Sequence, residues 1–280
     1  MNVTTLRNDY LRQYELSKQS EEMDLLVANA LRFVIENVFV NQSHTFIFTI
    51  STNDYAVDAV IKILLALTGF IAVQLIVLEN NVKYIAEDLG SRYCHLIMID
   101  SLKSLVETNI IKYKQNSNSL EYYFIFLKTH DTKIIHEMEL IFRYCYDNYW
   151  LHCNVMVQSN KGEVLVYSYF PFKANSCFQT EPVLINQFKK DRFVNREIFP
   201  NKLLDLQGCA FNISTWHTPP FVANYRNKRF PGLNATGFEM ITLTQISRLM
   251  NFSLAIEWIS FNKNQSPEAA LLEKVCSCNK

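Results

Sequence analysis

With 280 residues, 49% of them apolar and 19% charged, the chain can bury one large core or two ordinary ones and is too apolar to be disordered. Lysine plus arginine and aspartate plus glutamate both number 27, so the chain carries neither the basic excess of a nucleic-acid binder nor a net field to steer acidic substrates. Six glycines leave little material for phosphate-cradling loops, and no G-x-G-x-x-G, Walker loop or G-x-S-x-G elbow is present.

Residues 1–20 are polar, lack the apolar core of a secretory signal and read as a flexible N-terminus. From Glu21 to Phe39, residues Met23, Leu26, Val27, Ala30, Leu31, Val34 and Val38 share one helical face. Thr45–Ser51, Phe70–Leu78, Tyr93–Ile99, Glu121–Leu127 and Trp150–Gln158 are apolar runs of strand length, as strands covered on both faces would be. Helical patterns separate them. One spans Tyr55–Leu67 behind a cap at Asn53 or Asp54, and a short one lies within Asn80–Gly90. A third has Leu102, Leu105 and Val106 on its face. The last, Lys133–Tyr146 behind Asp131 or Thr132, points Ile134, Ile135, Met138, Ile141, Phe142 and Cys145 inward.

The most apolar stretch, Ile63–Leu78, falls short of the roughly 20 residues of a spanning helix and is broken at Thr68-Gly69. It reads as the end of a helix followed by a buried strand, so no transmembrane segment is expected. Asn160–Gly162 is a turn that returns Val164–Phe170 as a hairpin partner. The alternation predicts an α/β fold with a mostly parallel sheet and helices on both faces, ending in a hairpin. Asn175–Pro200 has little periodicity, and its Lys189, Lys190, Asp191 and Arg192 read as the solvated face of a connection. The domain boundary falls near Phe193, giving an amino-terminal α/β domain over 21–193.

A second segment, 194–280, has a defined internal order. Cys209–Trp216 alternates and stops at Pro219-Pro220, because proline cannot continue a central strand. A polar loop, Val222–Thr236, leads to Gly237. Phe238–Met250 then carries Phe238, Ile241, Thr242, Gln245, Ile246 and Leu249 at helical spacing, and Phe252–Ile259 alternates again. This is a strand–loop–helix–strand unit. With Glu268–Val275 it supplies too few elements for an independent core, so the chain is expected to stop within a domain.

Chemistry-bearing residues are sparse. Seven cysteines (Cys94, Cys145, Cys153, Cys177, Cys209, Cys276 and Cys278) cannot all pair within one chain, and their pairing is not readable from spacing. Cys94 and Cys153 sit in apolar runs as buried thiols; Cys276-Ser-Cys278 has no further cysteine or histidine beside it to complete a metal site. His136-Glu137 lacks the second histidine of a zinc-protease helix, and His95 reads as a packed core histidine. His217, beside the double proline, is the histidine best placed for a site. Glycosylation sequons occur at Asn2, Asn41, Asn212, Asn234, Asn251 and Asn264 and fit an extracellular domain.

The stretches FPNKLLDLQGC (199–209), STWHTPPFV (214–222) and GFEMITLTQISRLMNFSL (237–254), with weaker echoes in VLVYSYFPF (164–172) and PVLINQF (182–188), together resemble the start of the ligand-binding domain of ionotropic glutamate receptors, in the divergent form of insect ionotropic receptors. The resemblance implies a periplasmic-binding-protein-like fold in which 194–280 is the incomplete first lobe of the ligand-binding domain. It implies a chemosensory role, a small-molecule ligand, co-receptor subunits of the same family as partners, and no cofactor. The full-length receptor would sit in the cell membrane with this portion outside, through segments absent from this chain. No pore and no second lobe are encoded, so no channel activity is expected of the chain alone.

Carried over residue by residue, the resemblance places His217, Thr218, Pro220, Phe221 and Gly237 at the ligand cleft. Thr218 stands where glutamate receptors have an acidic residue, and Ala235 where they have a ligand-stacking tyrosine. The family's carboxylate-binding arginine lies further along than this chain reaches. These departures argue against glutamate as the ligand. The alternative is a soluble doubly wound α/β enzyme or small-molecule-binding protein. Its site would lie at the carboxyl ends of the strands, where Ser51–Asp54 and Asp100–Ser104 are the candidate loops. Neither contains a glycine.

Overall fold

The computed structural model describes residues 22–43, 45–51, 61, 72–77, 94–108, 121–128, 134–159, 161–224, 235–260 and 266. The N-terminus 1–20, the helix expected over Tyr55–Leu67 apart from residue 61, the helix expected over Asn80–Gly90, the caps at Asp131 and Thr132, and Glu268–Val275 lie outside the described residues. The chain divides into two compact units, 1–170 with 180–201 and 171–179 with 202–280.

The first unit opens with α1 (22–42), which contains a π-helical turn over Ile35–Phe39. Its strands are β1 (Thr45–Ser51), β2 (Ala72–Val77), β3 (Cys94–Ile99), β4 (Tyr122–Leu127), β5 (His152–Gln158), β6 (Val164–Ser168), β7 (Val183–Lys189) and β8 (Arg192–Phe193). Helix α2 (Leu102–Glu107) follows β3, and α3 (Ile134–Asp147) precedes β5. The sheet order is β2-β1-β3-β4-β5-β6-β7-β8. Pairings are parallel as far as β5 and antiparallel beyond it. The parallel part has the 2-1-3-4-5 order of a doubly wound sheet.

Successive side chains of a strand point to opposite faces, so a strand buried on both must be apolar throughout. Phe46, Phe48, Leu96, Met98, Phe124 and Phe126 pack on one face with Val27, Leu31 and Val34 of α1. Ile97, Ile99, Tyr123, Ile125, Val155 and Val157 pack on the other with Met138, Ile141 and Phe142 of α3. Helices therefore cover both faces, as the sequence pattern predicts. Ile135 and Val106 depart from it, lying exposed one step outside their helices' buried stripes.

His95 is buried and stacks on Tyr123 with centroids 4.7 Å apart. Tyr123 stacks in turn on Trp150, at 4.1 Å. Burial raises the Tyr123 and Tyr169 phenols far above their ordinary range, with Glu121 beside Tyr123 adding to its shift. Burial likewise pushes the Cys94 thiol up to about 12.

Asn175–Pro200 is not the plain connection the sequence suggests, because β7 and β8 extend the sheet within it. Two features hide this extension from sequence reading. Asn186 is buried, and its Oδ1 accepts the N–H groups of Gln187 and Asn195, so a polar residue sits where an apolar one marks a strand. The β7–β8 turn also uses Lys190 and Asp191 at positive φ (51° and 58°), the conformation that suits strand twist but is usually supplied by asparagine and glycine.

The second unit contains β9 (Ala210–Thr215), α4 (Phe238–Leu249) and β10 (Ser253–Trp258), with β9 and β10 parallel and Ala210 opposite Ser253. The expected strand–loop–helix–strand order holds, and much of the helix's apolar spacing faces solvent. Phe238, Ile241 and Leu249 are 72%, 62% and 82% exposed. The covered face carries Met240, Leu243 and Ser247, with Met240 and Leu243 packing in the cluster of Val222, Ala235, Ile256 and Trp258. A disulfide joins Cys177 to Cys209, tying residues 171–179 to the start of β9. Phe172, Phe178, Phe211 and Phe252 form a chain of ring contacts beside it. Among the described residues, no helix is long and apolar enough to cross a membrane.

Candidate ligand-binding site

Beyond β9 the chain reaches the double proline, whose Pro219–Pro220 bond is cis. Thr218 and Val222 exchange backbone hydrogen bonds (2.7 and 3.0 Å), closing the turn tightly around it. Ala223 and Thr236 do the same (2.7 and 2.8 Å), which brings Gly237 against the turn. Gly237 adopts φ 109°, and a Cβ there would lie 2.3 Å from the Phe221 carbonyl oxygen. Only glycine fits both the dihedral and the space. The close approach lets the N–H groups of Phe238 and Glu239 donate to the carbonyls of Pro220 and Phe221 (3.2 and 3.1 Å). The first turn of α4 is thereby capped by the turn itself.

A cavity of about 280 Å³ lies between the end of β9, the proline turn and the first turns of α4. Its lining includes Ser214, Trp216, Thr218, Phe221, Glu239 and Met240. The Thr218 hydroxyl is buried and has no hydrogen-bond partner among the described residues. A buried hydroxyl without a partner carries a desolvation cost. Aromatic carbon from Trp216 and Phe221, the carboxylate of Glu239 and the hydroxyl residues Ser214, Thr215 and Thr218 suit a small ligand with an apolar body and a hydrogen-bonding or cationic group. The volume is at the small end for ligand sites.

Of the residues the sequence singles out, Thr218 and Phe221 line the cavity, and Pro220 and Gly237 build its frame. His217 does not line it. Its Nδ1 accepts the Asn224 N–H at 3.1 Å, so it fastens the loop instead. Ala235 is buried in the small core of the unit. Sequence reasoning does not single out Trp216, Glu239 or Met240. Glu239 left a signal, being the acidic residue of the first helical turn, adjacent to Gly237-Phe238. Asn41, Asn212 and Asn251 are exposed, while Asn2, Asn234 and Asn264 lie outside the described residues.

The rival location is the carboxyl edge of the parallel sheet, where β1 and β3 end side by side at Ser51 and Ile99. Asp100 accepts from the hydroxyls of Ser101 and Ser104, and Glu137 of α3 accepts the Leu102 N–H at the start of α2. Two carboxylates already occupy the place where a doubly wound enzyme would hold a phosphate.

Residues 17–205, more than half of the chain, match the family described as "Putative ionotropic receptor, ligand binding domain". The chain belongs to this ionotropic receptor family. It is a family of receptors rather than of enzymes, and its ligand-binding description agrees with the mostly parallel, helix-flanked sheet of the first unit. Small-molecule recognition and a membrane or extracellular setting follow from membership. No curated protein matches the chain. The family match ends at residue 205, whereas the resemblance read from the sequence rests mainly on residues 199–254.

Proposed function

We propose that the chain is the extracellular ligand-recognition portion of a divergent, insect-type chemosensory ionotropic receptor. Residues 21–193 form its amino-terminal α/β domain and 194–280 the start of the ligand-binding lobe. The ligand sits against Thr218, Phe221 and Glu239, and Pro220 and Gly237 hold those groups in place. The carrying observation is the cavity walled by β9, the proline turn and α4, with a buried hydroxyl lacking a partner among the described residues. Glu239 and the aromatic walls favour a small amine over a carboxylic acid, since a carboxylate there would meet a like charge. The Cys177–Cys209 disulfide and the exposed sequons at Asn41, Asn212 and Asn251 support an extracellular setting. Co-receptor subunits of the same family are its partners in the full receptor.

A second reading places the ligand in the first unit, because the family description attaches ligand binding to residues 17–205. One experiment separates the two. Small amines and carboxylic acids are titrated against the chain while tryptophan emission is followed, since Trp216 lines the cavity. The same titrations are repeated on Thr218→Val, Glu239→Gln and Asp100→Asn. Amine binding lost in the first two variants and kept in the third supports the proposal. Saturable binding abolished by Asp100→Asn alone moves the site to the sheet edge.

A further inference from the structure

Three described cysteines stand outside the Cys177–Cys209 bridge, and two of them touch. Cys145, in the last turn of α3, and Cys153, early in β5, place their sulfurs 3.4 Å apart. Both are fully buried on the same face of the sheet. The backbone between them is already folded into a tight return. The Trp150 N–H donates to the Cys145 carbonyl at 2.8 Å, and Tyr149 ends the helix at φ 60°. Trp150 packs on Tyr123, and the Tyr169 hydroxyl donates to its carbonyl at 3.0 Å. The residues that carry the two sulfurs are thus held on both sides, and chain closure adds little to the cost of joining them. Cys94 belongs to the core on the opposite face and does not compete.

We infer that Cys145 and Cys153 are joined by a second disulfide in the mature protein, a covalent cross-link between α3 and β5. Bonded sulfurs lie about 2.05 Å apart, so the side chains must close by about 1.4 Å, within reach of small χ1 rotations. A bridge elsewhere in the chain indicates a compartment that supplies disulfide donors. The step is thiol–disulfide exchange. One cysteine thiolate attacks the donor disulfide, and the second displaces the donor's sulfur from the mixed disulfide. Two cysteine S–H bonds are lost and one S–S bond forms, while the donor is reduced to two thiols that take both protons and both electrons. With neither sulfur accessible in the folded unit, the exchange belongs to folding, before α3 closes over β5.

The wild-type 280-residue chain is secreted from eukaryotic cells behind a heterologous leader. It is then denatured in alkylating agent without reductant, digested and weighed. A parallel sample is refolded from the reduced state in a mixture of oxidised and reduced glutathione. The expected product in both is a linked pair of peptides containing Cys145 and Cys153, lighter by two hydrogens than its unlinked parts. Alkyl label on both cysteines in either sample overturns the inference, as does a link from either one to another cysteine. In Cys153→Ser the label should appear on Cys145. Reduction of the wild type should raise the unfolding equilibrium constant of the first unit about ten- to a hundredfold, an effect absent in Cys145→Ala/Cys153→Ala.

Discussion

The central parallel strands of the first unit are buried almost end to end, with β3 closed along its whole length and β4 and β5 along all but their outermost residues, whereas β9 and β10 of the second expose or half-bury every position. The helices differ in the same way. Met138, Ile141, Phe142 and Cys145 of α3 disappear into a core, while Phe238, Ile241 and Leu249 of α4 stand in solvent. One unit gains its stability from a sheet covered on both faces. In the other, the described residues show a disulfide and a small core around Val222, Ala235 and Met240. Such a scaffold positions a shallow site well and resists unfolding poorly.

The largest effect that separates the units is expected from emptying the first core. Phe124 is fully buried in β4, and Phe124→Ala should cost about 3–5 kcal/mol. Denaturant unfolding followed by hydrogen exchange should show β3, β4 and β5 losing protection together. The β9 and α4 amides should keep their wild-type rates. Equal losses in both units would mean that the chain unfolds as one cooperative body and that the contrast drawn above has no energetic meaning.

A smaller loss, confined to the second unit, is expected at the proline turn. Gly237→Ala forces a Cβ onto the Phe221 carbonyl oxygen and puts a side chain at φ 109°. The strain should cost about 2–3 kcal/mol and release the cap on α4. Exchange should accelerate at the Phe238 and Glu239 amides, with β4 unchanged, and ligand binding at Thr218 should weaken with it. Unaltered exchange at those two amides would show that the carbonyl contacts do not hold the helix start.

How far all this was legible in the sequence follows from the same contrast. Strands buried on both faces are apolar at most positions, so β1, β3, β4 and β5 stand out in the chain as runs such as TFIFTIS and YYFIFL. Strand β7 does not, because most of its positions are only partly covered and one of its two buried ones is Asn186, which bonds the backbone through its side chain. At the candidate site, Thr218, Phe221 and Gly237 were reachable through local order: strand, double proline, glycine, helix. Trp216 and Glu239 were not, since they line one cavity only when the end of β9 and the start of α4 come together. Nor could spacing show that Cys177 pairs with Cys209, which is settled by chain packing.

The sharpest test of the comparison has the smallest expected effect. The apolar spacing of α4 gives the angle between Phe238, Ile241 and Leu249 but says nothing about which side the sheet covers. The structure covers Met240, Leu243 and Ser247 and leaves Phe238, Ile241 and Leu249 exposed. Leu249 is 82% exposed, so Leu249→Gln removes almost no buried area and should change stability by less than about 0.5 kcal/mol. Were the stripe buried, the same change would cost several times as much, because a core leucine would be lost and an amide left without partners. Met240→Ala serves as the matched control on the covered face, where about 2 kcal/mol is expected. Comparing the two by hydrogen exchange at α4 decides which face of the helix this unit uses. A costly Leu249→Gln beside a harmless Met240→Ala would reverse the orientation of α4 and dismantle the cavity that Glu239 lines.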